Sequence, residues 1–118
     1  MAHDPGILIV DDNEDNRYTL QLLLESDGHE RIASASSGTE AIALIERQSF
    51  NLVLLDLMMP IVDGWEVLDR MRADPSLDDV RVCVCSAAPD QLAAMRADFV
   101  LHKPVDLDAL RHVVDSVA

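Results

Sequence analysis

Ile7-Leu8-Ile9-Val10-Asp11-Asp12 and Leu52-Val53-Leu54-Leu55-Asp56 decide how this chain folds. Each is a short, wholly apolar run that stops at a carboxylate. Such runs, with no polar alternation, are the pattern of strands buried on both faces, as in a parallel sheet covered by helices. In open parallel sheets, ligands bind outside the carboxyl ends of the strands. Three acids gathered at that edge would repel one another in a cleft, so they call for a cation or a chemical role.

The segments around these runs alternate strand with helix. A helix is expected from Glu14 to Ser26, with Asn13 as N-cap, Gly28 as C-terminal stop and Leu20, Leu23 and Leu24 inward. A strand at Arg31–Ala35 precedes the capping box Ser37-Gly38-Thr39-Glu40 and a helix carrying Ala41, Leu44 and Ile45. After Asp56, Asp63 can cap a third helix with Val67, Leu68 and Met71 inward, ended by Asp74-Pro75. Strands at Val80–Cys85 and Phe99–Leu101 flank a short helix around Asp90–Arg96. A last helix begins at Asp106, with Leu107, Leu110, Val114 and Val117 on one stripe. Five strand–helix units predict an open parallel sheet with helices on both faces. Right-handed crossovers bring every carboxyl end to one edge.

Composition narrows the function. The 118 residues suit one domain, and a formal net charge of −13 disfavours nucleic acid and anionic membrane as partners. No stretch is long enough to span a bilayer and the N-terminus carries no signal-peptide pattern, so a cytoplasmic protein is expected. Cys83 and Cys85 would share one strand face, poorly placed to bridge each other and short of further metal ligands. They read as two small buried side chains.

The expected edge collects Asp11, Asp12, Asp56, Ser86 and Lys103. Oxygen-only ligands suit a hard cation such as Mg²⁺. A lysine and a hydroxyl opposite would contact phosphoryl oxygens, and a carboxylate beside the metal can be a nucleophile. His102 is adjacent, but strand alternation aims it away from Lys103.

Val10-Asp11-Asp12-Asn13, Leu55-Asp56-Leu57-Met58-Met59-Pro60 with Asp63-Gly64, Cys85-Ser86-Ala87 and Lys103-Pro104 occur in this order, each at a strand end. Together they resemble the receiver domains of two-component response regulators over essentially the whole chain. The resemblance implies a flavodoxin-like doubly wound α/β fold, with five parallel strands in the order 2-1-3-4-5 and five helices. Residues 6–118 would be the receiver, after a tail at residues 1–5 and with no output domain. It further implies that Asp56 accepts a phosphoryl group from a phosphohistidine of a histidine kinase or a histidine phosphotransfer protein. Asp12 would bind Mg²⁺ directly, Asp11 would assist through water, and the backbone carbonyl of Met58 would complete the protein ligands. Ser86 would hydrogen-bond a phosphoryl oxygen. Lys103 would pair with Asp56 at rest and with the phosphoryl group afterwards, across a cis Lys103-Pro104 bond. Enzymatic activity would be limited to self-phosphorylation and slow self-dephosphorylation.

Two departures stand out. Ser86 and Lys103 are only 17 positions apart, so the fourth helix should be shortened by about a turn. Where the family carries a switch aromatic, three residues before the lysine, this chain has Val100, with Phe99 on the other face. The expected consequence is an intact acid site whose signal leaves through the first helix and the loop after Asp56. A phosphorylation-independent binding module is the alternative. A metal-dependent phosphatase is disfavoured for lack of room for a cap domain.

Overall fold

The apolar runs form the middle of a parallel sheet. A computed structural model describes residues 5–56, 64–86 and 97–117. Its strands are β1 (Ile7–Val10), β2 (Ile32–Ala35), β3 (Leu52–Asp56), β4 (Arg81–Ser86) and β5 (Phe99–His102). They lie side by side in the order β2-β1-β3-β4-β5, all parallel. The described helices are α1 (Glu14–Ser26), α2 (Gly38–Arg47), α3 (Gly64–Arg72) and α4 (Leu107–Val117). The short helix expected around Asp90–Arg96, the Asp63 cap and the Met58 carbonyl lie outside the described residues.

Local chemistry explains where the elements stop. Asn13 accepts from the Asn16 amide and opens α1. The helix closes in a Schellman arrangement: Gly28 N–H donates to Glu25 O at 3.0 Å and His29 N–H to Leu24 O at 3.1 Å. Gly28 takes φ +92°, a conformation open to glycine and strained for L side chains. At α2, Ser37 Oγ accepts from Glu40 N–H at 3.1 Å as a capping box requires. The reciprocal half differs: Glu40 Oε2 accepts from the amide and hydroxyl of Ser36, at 3.2 and 3.0 Å. Ser36 offers one carboxylate oxygen two donors, whereas the Ser37 amide would offer one. Asp74 caps a single 3-10 turn, Pro75–Leu77, which the helical periodicity does not anticipate. Asp106 accepts from Ala109 N–H at 3.1 Å and starts α4.

Strand alternation divides the core into two layers. Val10, Val53, Leu55 and Val84 pack with Ala41 and Ile45 of α2 and with Val67, Leu68 and Met71 of α3. Ile9, Leu54, Cys83 and Cys85 pack with Leu20 and Leu24 of α1 and with Leu110, Val113 and Val114 of α4. β1 and β3, at the centre, feed both layers and are fully buried. Each buried aliphatic side chain contributes about 1.5–3 kcal/mol, so the central strands hold the edge of the sheet rigidly in place.

Candidate functional site

β1 and β3 end level. Val10 pairs with Leu55, so Asp11 and Asp56 are the next residues along neighbouring strands. With a period of two, both carry on the face of Ile9 and Leu54, the side covered by α1 and α4. Lys103 stands two residues beyond Leu101, which packs in that same layer. Its amide continues the ladder by donating to Ser86 O at 2.9 Å. The Lys103-Pro104 bond is cis, as expected.

The lysine ammonium bridges the two strand-end acids. Lys103 Nζ is 3.0 Å from Asp11 Oδ2 and 3.7 Å from Asp56 Oδ2. In this state the lysine is therefore held most closely by Asp11. Oxygens of Asp11, Asp12 and Asp56 lie within 4.8 Å of one another. Asp11 and Asp56 are 2% and 6% exposed, while Asp12 faces solvent. At such spacings two carboxylates repel by about 3 kcal/mol at an effective dielectric of about 20. One ammonium offsets only part of this.

Burial pulls the Lys103 pKa down. The hydrogen bond to Asp11 and the charges of Asp56 and Asp11 outweigh it, and the value stands above that of an ordinary lysine. The ammonium therefore stays charged at neutral pH. The cluster offers hard oxygen donors only, an excess of negative charge and one open, solvent-facing acid. Those are the properties of a site for a hard divalent cation.

The remaining candidates have other surroundings. Ser86 ends β4, half-buried, with its backbone tied to Lys103. Its register partner His102 is exposed. Cys83 and Cys85 are free thiols in the α1/α4 layer. Hydrogen bonding to Cys85, together with burial, pushes the Cys83 thiol well up, so it stays protonated and unreactive. Phe99 packs on the α1/α4 layer, and Val100 next to it is half-buried.

Two contacts escape the sequence reading. Asn13 N–H donates to Asp11 Oδ1 at 2.9 Å, and Arg17 Nη1 donates to the Asp11 carbonyl at 2.8 Å. In the sequence Arg17 ends the stretch Asn13-Glu14-Asp15-Asn16-Arg17, which resembles the receivers of hybrid kinases but gives the arginine no role. Nothing in its spacing shows that it reaches back to the strand end.

A doubly wound sheet with three acids and a lysine at its carboxyl edge defines an α/β domain suited to a cation and an anionic group at one place. The family model for the response regulator receiver domain matches residues 7–115. The chain is 36% identical over 113 residues to an uncharacterised 14.6 kDa protein from the sodA1 3′ region of Leptolyngbya boryana, covering 91% of this chain and 86% of that one. It is 32% identical to response regulator Rre1 of Synechocystis, covering 97% of this chain and 52% of Rre1. It thus spans about half the length of that relative. A crystal structure of a response regulator receiver protein from Pseudomonas putida superposes with a TM-score of 0.85 at 30% identity, covering 98% of this chain and 99% of that one. The chain belongs to the response regulator receiver domain family, a family of two-component signalling domains. Among the described residues no helix is long and apolar enough to cross a membrane.

Proposed function

We propose that residues 6–118 form a cytoplasmic receiver that takes a phosphoryl group onto Asp56. The donor would be a phosphohistidine of a histidine kinase or a histidine phosphotransfer protein. The observation that carries this reading is the Lys103 ammonium shared between Asp11 and Asp56, with Asp12 alongside. An Asp56 carboxylate oxygen would form the new P–O bond as the donor's P–N bond breaks and its imidazole leaves. Asp11, Asp12, Asp56 and the Met58 backbone carbonyl would hold Mg²⁺. Bound there, Mg²⁺ supplies positive charge against the equatorial oxygens of the transferring group. Lys103 would move its contact from the carboxylates to the phosphoryl group, and Ser86 would donate a hydrogen bond to it.

The test is incubation with acetyl phosphate and Mg²⁺ followed by intact mass measurement. A mass gain of one phosphoryl group that is lost in Asp56→Asn supports the reading. No gain would refute it and favour a phosphorylation-independent binding module, an alternative motivated by the missing aromatic at Val100.

The same departure supports an output through α1 and the loop after Asp56. Tyr18 and Leu22, one turn apart on that helix, are 64% and 47% exposed. They offer an exposed apolar contact face on α1. Beryllofluoride titration followed by NMR would show shifts along α1. Shifts confined to β5 and α4 would overturn this assignment.

A further inference from the structure

We propose that Arg17 is a positioning residue for the acid site: by holding the Asp11 carbonyl it sets the pose of Asp12 toward a divalent cation. This inference rests on the Mg²⁺-dependent reading above. Asp11 is the first residue beyond the β1 ladder, and it is almost fully buried. Its carbonyl has left the strand pairing and would be costly to bury without a donor. Arg17 Nη1 supplies that donor at 2.8 Å. The other polar groups of Asp11 are also held. Its amide donates to Ala35 O at 3.2 Å, one carboxylate oxygen accepts from Asn13 N–H, and the other accepts from Lys103 Nζ.

The carbonyl held by Arg17 belongs to the planar peptide that joins Asp11 to Asp12. Rotation of that plane would swing the exposed Asp12 away from Asp11 and Asp56. Arg17 is itself anchored, since its amide donates to Asn13 O at 3.1 Å in the first turn of α1. The guanidinium thus ties the helix to the Asp11–Asp12 peptide, from which the exposed Asp12 projects.

The sign of the effect separates this role from its rivals. A bystander cation near a metal site repels the metal, so its removal tightens Mg²⁺ binding. A purely structural arginine alters stability and leaves the affinity of the folded protein unchanged. A positioning arginine, when lost, weakens binding. Isothermal titration of the full chain with magnesium chloride at constant ionic strength, beside urea unfolding, reads all three. Arg17→Met is expected to weaken Mg²⁺ binding roughly tenfold, the low end for loss of a group that orients a ligand. Arg17→Lys keeps the charge with a shorter, single-point donor and is expected to fall between. If Arg17→Met binds Mg²⁺ as tightly as wild type or more tightly, the proposal is overturned. If Arg17→Met does not fold, wild-type affinity in Arg17→Lys overturns it instead. A wild-type chain that binds no Mg²⁺ removes the functional reading above and this proposal together.

Discussion

Asp12 is exposed beside two buried carboxylates, and the effect of removing its charge depends on the metal. Without a cation, Asp12→Asn relieves repulsion within the cluster and is expected to stabilise the fold by about 1–2 kcal/mol in urea unfolding with EDTA present. With Mg²⁺ in excess, wild type should gain stability by ligand linkage while Asp12→Asn gains little. Lys103→Met acts in the opposite direction. It leaves Asp11 and Asp56 buried without their ammonium, at a cost of about 1–2 kcal/mol, less than for a fully buried pair because the lysine is partly exposed. Because the folded-state pKa of Lys103 is raised, its contribution is complete below the ordinary lysine value and fades only as pH rises through the raised one. The stability difference between wild type and Lys103→Met should therefore stay constant through neutral pH and shrink only in strong alkali. A difference that already shrinks around neutrality would contradict the raised value.

The elements end where single residues make them end. At Gly28 nothing lies within 4 Å of where a side chain would go, so steric clash plays no part in its selection. The positive φ alone sets the penalty, and Gly28→Ala is expected to cost about 1 kcal/mol, read as a lowered midpoint in thermal or urea unfolding. This much could be read ahead of any coordinates. The limits of α1, its Asn13 cap and the inward stripes of α2 and α3 follow from apolar spacing and capping residues. The 3-10 turn at Pro75–Leu77 and the Ser36–Glu40 contact could not be read so. Both depend on how the chain enters or leaves a helix already docked on the sheet, and periodicity carries no information about docking.

At the scale of the molecule, the two layers of the core among the described residues lie on opposite faces of one sheet. Leu54 lies at the centre of β3, and Leu54→Ala should cost about 2–5 kcal/mol by opening a cavity against the α1/α4 layer. The same strand presents Val53 and Leu55 to α2 and α3, so loss of β3 undoes both layers at once. Unfolding followed by far-UV circular dichroism and by fluorescence of Trp65, which packs on the α2/α3 layer, should therefore coincide. Two separated transitions would show that the layers are independent.

What the sequence determined by itself was the architecture and the cast of the site. Short uninterrupted apolar runs bounded by turn signals read as strands covered on both faces, and a parallel sheet then sends every strand-end acid to one edge. Asp11, Asp12, Asp56 and Lys103 were legible for that reason. Only the tertiary structure decided how they share their charges. Lys103 lies closer to Asp11 than to Asp56, and Arg17 reaches back to the Asp11 carbonyl. Those contacts join residues on different elements at distances of about 3–4 Å, set by strand register and helix docking. Periodicity along the chain says which face a residue takes, but not which partner waits there.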